Sequence, residues 1–168
     1  VEALLGVVDD ATSAVREAAF STLLEVAARS AAAQALLCEK ALPVLLECAG
    51  GEAESGVEAA MALELMRMLL SGRNPGAVEK LIELGAVGVC TKLLAHEDAS
   101  VAEGATLVVA CLCVPFEGKA AAVAAGTVAS LVSLLDRVGL TIKTCATAAL
   151  MNVTVDIQAK KDFVEAGG

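Results

Sequence analysis

An internal repeat limits what this sequence can fold into more than any other feature. The segment 1–9 aligns without gaps on 128–136, and the same frame fits 42–49 and 87–94. The first residues of these segments lie at positions 1, 42, 87 and 128, so the spacings are 41, 45 and 41 residues. A unit of this size cannot bury its apolar face alone, and the sequence therefore predicts an array in which neighbouring units cover each other.

Inside each unit the apolar residues recur at the three- and four-residue spacing of an α-helix, as in the runs that start at Val101 and Ile142. Each period has room for three helices. An apolar content of 57% with only three aromatic residues leaves Ala, Val and Leu to form the core. We predict an all-α solenoid with units at approximately 1–30 (partial), 31–73, 74–114, 115–155 and 156–168 (partial). Both ends cut through a unit, so we expect a piece of a longer chain with an apolar face at each end.

Two columns set the register of the predicted units. The first holds the anchor residues that begin the second helix of each unit: Val1, Leu42, Val87 and Val128. The second is one apolar position near the start of the long third helix: Val15, Val57, Val101 and Ile142. We expect the anchor side chains to be buried, because they belong to the apolar stripe that each unit presents to its neighbour.

These columns resemble those of the armadillo repeat. The resemblance lies in the stretches 85–94 and 126–135, which begin Gly-Ala/Thr-Val and end Leu-Leu, and in the run 148–153. It covers essentially the whole chain. Armadillo arrays are right-handed superhelices of three-helix repeats, so the resemblance implies an armadillo-type α-solenoid that binds other proteins and is not an enzyme.

Some armadillo proteins bind an extended peptide in a concave groove, through an Asn near the end of each long helix and a Trp one turn earlier. Asn152 matches the Asn column, whereas the other units have Glu25, Arg67 and Cys111 there. Asn supplies both a donor and an acceptor to a peptide backbone. Only one of the four long helices has Asn at this position, so we do not expect a row of Asn side chains that binds a peptide backbone. Asn152 is interpreted as a capping or solvent-facing residue.

Equivalent positions on the four long helices define the candidate protein-binding groove. Its residues are Glu17, Ser21, Glu25, Leu63, Arg67, Glu103, Leu107, Cys111, Thr144, Ala148 and Asn152. The predicted face is acidic at one end, apolar in the middle and neutral at the other end. Leu63 and Leu107 either form an exposed patch that a partner helix covers or lie half-buried against neighbouring helices.

A loop between two units carries a narrower resemblance. The motif Pro-Phe-Glu-Gly-Lys at 115–119, within the segment 110–119 and followed by the helix 127–135, resembles the armadillo family of the ciliary radial spoke. That resemblance implies a structural subunit of the axoneme in cilia or flagella, with other radial spoke subunits as partners. Two other armadillo roles stay open, namely the substrate-binding region of a ubiquitin ligase and a cytosolic peptide or cargo adaptor.

Charge and hydropathy exclude two classes of partner. The formal net charge is −9, and a surface of that sign repels phosphate, so nucleic acid is not expected. Most of the imbalance lies in residues 1–103, which hold 16 acidic and 7 basic residues. The longest uncharged stretches, 104–116 and 120–135, are shorter than the roughly 20 residues that a membrane span needs. We therefore expect a soluble, cytoplasmic protein with no membrane partner.

The residues that could carry chemistry are few. His96 is the only histidine, so neither a Ser-His-Asp catalytic set nor a His-rich metal site can form without it. We interpret His96 as a solvated loop residue. Cys111 and Cys113 lie on opposite sides of a helix and cannot chelate one ion together. The six cysteines are interpreted as reduced core residues, with Cys111 as a possible surface thiol. Glu52, Glu54 and Glu58 lack calcium-loop spacing and are interpreted as a solvated acidic edge, so no cofactor or metal is expected.

Overall fold

The computed structural model describes residues 2–10, 13–51, 56–71, 75–137 and 139–168. Within these ranges the regular elements are α-helices, and no β-strand occurs. In chain order the helices are α1 (Glu2–Asp10), α2 (Ser13–Arg29), α3 (Ala31–Lys40), α4 (Leu42–Gly50), α5 (Gly56–Ser71), α6 (Pro75–Glu83), α7 (Ala86–Leu93), α8 (Ala99–Leu112), α9 (Phe116–Ala124), α10 (Thr127–Leu134), α11 (Leu140–Val153) and α12 (Ile157–Glu165).

The chain divides into two compact units, residues 1–84 and 85–168. In the first unit α2 packs against α5, and α4 packs against α5 and α6. In the second unit α8 packs against α11, and α7 and α10 pack against α8 and α11 respectively. Each long helix is therefore covered by a second long helix and by a shorter one, which is the packing that the repeated apolar stripes require.

The anchor positions confirm the predicted facing. Leu42, Val87 and Val128 lie at the starts of α4, α7 and α10 and are buried. The residues just before α7 and α10 are Gly85 and Gly126, which adopt the left-handed conformation with φ of 78° and 68°. This conformation suits glycine, because a side chain would be strained there. Some sequence predictions fall outside the described residues: Val1, Glu52, Glu54 and the turn 72–74.

Three helices begin with a capping side chain, and each capping residue is a Ser or an Asp, the types preferred at a helix N-terminus. The Ser30 hydroxyl accepts from the Ala33 amide before α3, and the Asp98 carboxylate accepts from the Ser100 amide before α8. The Asp156 carboxylate accepts from two amides at the start of α12. These bonds satisfy amide groups that have no partner inside the helix. The hydrogen bond from Ser100 also holds the pKa of Asp98 below its ordinary value.

The prediction that the second apolar column is buried holds at two of its four positions and is wrong at the other two. Val101 and Ile142 are buried, whereas Val15 and Val57 are each about half exposed. The buried residues of α5 repeat those of α8 at a constant spacing of 43 rather than the expected 44: Glu58, Ala59, Ala62, Leu65, Met66 and Leu69 against Val101, Ala102, Ala105, Val108, Val109 and Leu112. The residue of α5 that corresponds to Val101 is therefore Glu58, and Val57 points outward.

Glu58 can occupy an apolar position because its charge has a partner. It is 3% exposed, and its Oε2 atom lies 3.0 Å from Nε of Arg16 on α2, whose side chain keeps 28% of its surface exposed. A carboxylate withdrawn from water is tolerated when a cation compensates it. The expectation that Glu58 belongs to a solvated acidic edge is therefore wrong. The apolar pattern alone selected Val57, the adjacent valine, for this position.

Replacing Glu58 tests this pair. We expect Glu58→Leu to lower the free energy of unfolding by about 1–3 kcal/mol, because Arg16 then loses its counter-charge in a largely buried place. The double variant Arg16→Met/Glu58→Leu should recover most of that loss, because an apolar pair suits the same position. Urea denaturation of both variants measures the difference. If the single and the double variant lose the same free energy of unfolding, the ion pair is not the reason that a glutamate is tolerated at position 58.

A second prediction concerns the packing of α8 on α11, where Ala105 and Ala146 are fully buried. We expect Ala105→Leu or Ala146→Leu to lower the free energy of unfolding by about 1–3 kcal/mol, because added methylenes overpack a close helix contact. Ala148→Leu, at an exposed position of α11, is the control and should change stability by less than ~0.5 kcal/mol. Urea denaturation compares the variants, and insensitivity at Ala105 and Ala146 would mean that the helix contact is loosely packed.

Candidate functional site

The candidate site residues lie on four long helices, two in each compact unit. We call the surface formed by α2 and α5 the α2/α5 face, and the surface formed by α8 and α11 the α8/α11 face. On each helix the candidate residues are four apart, and residues at that spacing share one side of an α-helix. Each face is described within its own unit.

The α8/α11 face brings together six of the predicted residues. On α8, Glu103, Leu107 and Cys111 are half-buried. On α11, Thr144 and Ala148 are exposed and Asn152 is half-buried. Leu107 thus follows the half-buried alternative rather than the exposed one. All six side chains keep solvent-accessible surface, so this face can contact a partner.

Charge on the α8/α11 face comes mainly from one carboxylate. Glu103 acts across the helix contact on Cys145 of α11, whose pKa is raised first by burial and then by this negative charge. The Thr144 hydroxyl forms a hydrogen bond within its own helix, since it donates to the Leu140 carbonyl at 2.8 Å. The face therefore offers a carboxylate at one end, Leu107 in the middle and the Asn152 amide at the other end.

The α2/α5 face is more strongly charged. Glu17 is half-buried, and Ser21 is exposed and donates its hydroxyl to the Glu17 carbonyl at 2.9 Å. Glu25 is exposed and lies 2.7 Å from Arg29, one turn further along α2. An ion pair so exposed contributes little to stability, so the Glu25 carboxylate can exchange its partner at low cost.

The predicted residues of α5 need a correction. Leu63 is fully buried, so the expectation that it lines an exposed groove is wrong. Arg67 is half-buried and contacts Glu64 through both Nε, at 2.7 Å, and Nη2. With the spacing of 43 residues found between α5 and α8, the residues of α5 that correspond to Glu103, Leu107 and Cys111 are Ala60, Glu64 and Met68.

Sequence reasoning missed these three residues because it used a spacing of 44. A signal for the correct register was present in the apolar residues Ala59, Ala62, Met66 and Leu69, which follow the helical spacing of three and four without a break. All three replacements keep partial solvent exposure. Glu64 thus adds a carboxylate to the α2/α5 face, and this carboxylate is paired with Arg67 of the same helix.

His96 has a structural role in its loop. Its Nδ1 atom accepts a hydrogen bond from the Asp98 amide at 3.0 Å, and its carbonyl accepts one from Arg137 at 3.2 Å. Arg137 also reaches the Leu94 carbonyl at 3.4 Å. His96 is half-buried rather than fully solvated, and these bonds hold the loop between α7 and α8 in place.

None of the six cysteines forms a disulfide; Cys90 and Cys113 are buried, and the other four are half-buried. Burial raises the pKa of both Cys90 and Cys113 to about 12, so they stay protonated and unreactive at neutral pH. No group of three or more His, Cys, Asp or Glu side chains in the described ranges could hold a metal ion. Among these same residues, no helix is long and apolar enough to cross a bilayer.

Comparison with known proteins identifies the fold class. No protein-family model and no curated protein sequence matches the chain. Solved structures of designed proteins do match. The chain is similar to computationally designed armadillo repeat proteins for modular peptide recognition, with 27% identity and a TM-score of 0.86 over 98% of this chain and 69% of that one.

A second designed armadillo repeat protein, solved in complex with the peptide (KR)4, is 26% identical with a TM-score of 0.83, over 98% of this chain and 69% of that one. An engineered protein of 27% identity has a TM-score of 0.86, over 99% of this chain and 67% of its own length. These likenesses confirm the predicted fold class. The chain has the armadillo-type α-solenoid fold.

Proposed function

We propose that this chain is a non-catalytic scaffold that binds other proteins through the exposed sides of its long helices. The observation that carries the proposal is the set of accessible polar and apolar side chains along α2, α5, α8 and α11. A similar designed protein was solved in complex with the peptide (KR)4. In solenoids the extended surface formed by repeated helices is the usual binding surface.

The α2/α5 face favours a basic segment as ligand. Glu17 and Glu25 on α2 present carboxylates, and the formal net charge of −9 adds a long-range attraction for cations. Charges at the rim of an interface act mainly on the association rate and on its salt dependence. Binding of a basic peptide should therefore weaken steeply as salt is added.

The peptide (KR)4 is a suitable first probe. We expect it to bind this chain, and we expect Glu17→Lys/Glu25→Lys to weaken binding by about ten-fold, because each reversal replaces an attraction with a repulsion. The control is Glu47→Lys/Glu79→Lys, which changes the net charge equally at exposed positions of α4 and α6. Fluorescence anisotropy at several salt concentrations measures the affinity.

The control separates a local effect from a general one. Equal weakening in both variants would show that net charge, and not the α2/α5 face, attracts the peptide. Unchanged binding in the Glu17→Lys/Glu25→Lys variant would remove this face from the proposal. Glu103→Lys, measured in the same way, reports on the α8/α11 face.

For the biological setting we propose a structural subunit of the radial spoke in the axoneme of motile cilia or flagella, with other spoke subunits as partners. Support comes from the motif at 115–119, whose resemblance to the armadillo family of the radial spoke has no counterpart in the other loops of the chain. A structural subunit needs extended contact surfaces, and the α2/α5 and α8/α11 faces are surfaces of this kind.

Cross-linking mass spectrometry on isolated axonemes tests this setting. We expect cross-links from exposed lysines such as Lys143 and Lys161 to radial spoke proteins. Axonemes that lack spokes should lack the chain as well, because a spoke subunit has no other place to bind. Cross-links to ubiquitin-ligase components or to transported cargo, or an unchanged amount in spokeless axonemes, would contradict the proposal and favour the alternative roles.

A further inference from the structure

Two cationic side chains donate hydrogen bonds to main-chain carbonyls of the preceding repeat. Arg137, just after α10, lies with Nη2 3.2 Å from the carbonyl oxygen of His96 and with Nη1 3.4 Å from that of Leu94. Nζ of Lys80 on α6 donates to the carbonyl of Glu39 in the last turn of α3. The sequence separation is 41 residues for Lys80 and Glu39 and also for Arg137 and His96. Each contact lies within one compact unit.

In the α7–α8 loop, the amides that would satisfy these carbonyls in a continuous helix donate elsewhere. An α-helix pairs the carbonyl of residue i with the amide of residue i+4. For Leu94 that amide belongs to Asp98, which donates to Nδ1 of His96 at 3.0 Å. For His96 it belongs to Ser100, which donates to the Asp98 carboxylate at 2.8 Å. The turn that ends α7 and caps α8 therefore leaves two carbonyls to be satisfied from outside the loop.

The Glu39 carbonyl needs an outside donor for a different reason. In a continuous helix its partner would be the amide of residue 43, but residue 43 is proline, which has no N–H. Pro43 lies in the first turn of α4. Glu39 and Leu94 both lie at a helix C-terminus, where the helix dipole favours a nearby cation.

The cations are well suited to this task. Arg137, Lys80 and His96 are half-buried, and a carbonyl withdrawn from water is costly when it has no donor. A hydrogen bond from a cation is stronger than one between neutral groups, and the planar guanidinium of Arg137 can serve two carbonyls at once. In each compact unit the later repeat therefore supplies a donor that the local sequence of the earlier repeat uses elsewhere or lacks.

We propose that these two contacts are straps between repeats, each of which makes the local order of one repeat depend on the folding of the next. The α7–α8 loop keeps its conformation only while Arg137 is bound to it, and α8 begins directly after that loop. The stability of a solenoid comes largely from contacts between neighbouring repeats, and the straps add a polar, directional contact to the apolar ones. This proposal concerns the coupling of repeats and does not rest on what the long-helix faces bind.

Amide hydrogen exchange followed by NMR tests the strap of Arg137. We expect Arg137→Met to speed exchange at Asp98 and Ser100 by at least about ten-fold, because the loop carbonyls lose a charged donor and the loop opens more often. Arg137→Lys keeps the charge without the planar fork, so its exchange should be intermediate. The control Lys161→Met removes the same charge at an exposed position of α12 and should leave both amides unchanged.

A double-mutant cycle tests the reason for this strap. In His96→Ala the Asp98 amide is released and can donate to the Leu94 carbonyl, as it would in a continuous helix. Arg137→Met should therefore lower the midpoint of urea denaturation less in the His96→Ala background than in the unchanged chain. Equal shifts in the two backgrounds would mean that the loop does not depend on an outside donor.

The strap of Lys80 has a matched control in the same compact unit. Lys80→Met should lower the urea midpoint more than Arg29→Met does, because the Arg29 side chain is 77% exposed and pairs only one turn away, with Glu25. Both variants remove one positive charge, so a general effect of net charge would shift the two midpoints equally.

Three results would each overturn the proposal. They are unchanged exchange at Asp98 and Ser100 in Arg137→Met, equal midpoint shifts in the two backgrounds of the cycle, and equal shifts for Lys80→Met and Arg29→Met. Circular dichroism checks that each variant stays helical. Arg137→Lys retains a donor for one carbonyl, so exchange at the same two amides can be measured in it if Arg137→Met does not fold, and exchange as slow as in the unchanged chain would then overturn the proposal.

Discussion

The close packing of one long helix on the next, through small side chains, is the contact on which the rest of this structure depends. In the second unit, Ala105 and Val108 of α8 and Ala146 and Ala149 of α11 are fully buried. Alanine lets two helix backbones approach closely. Each long helix then buries the apolar stripe of the neighbouring long helix, which would otherwise face water. A core built in this way has little need for aromatic residues, which agrees with three phenylalanines in 168 residues.

A core made of small residues also affects the surface. Because Ala, Val and Leu fill the interior, large apolar side chains that remain outside are not needed for packing. Phe116 is the clearest case, since it is one of three aromatic residues and lies mostly in solvent. The charged residues of α2 and α5, in contrast, stand beside the packed stripe and give that surface its acidic character. The acidic surface is the one for which we propose a basic segment as ligand.

The fold could be predicted well from the sequence because its signal is repeated. Four segments at similar spacing repeat one apolar pattern, and the described anchors Leu42, Val87 and Val128 are buried as expected. The candidate site could be predicted less well. On α8 and α11 the expected residues keep accessible surface, whereas on α5 the expectation fails at Leu63, which is fully buried. One residue of error rotates a helix by about 100° and exchanges buried positions for exposed ones.

The sequence by itself determined that this chain is an all-α array of stacked units, because a period of 41–45 residues with helical apolar spacing leaves no other way to bury the apolar stripes. Tertiary structure alone decided that Glu58 takes an apolar position in α5, because the partner that makes this possible, Arg16, lies on a different helix. Tertiary structure also decided that Phe116 and Ile157 stay in solvent, since exposure depends on which neighbours a loop approaches and not on the residue type.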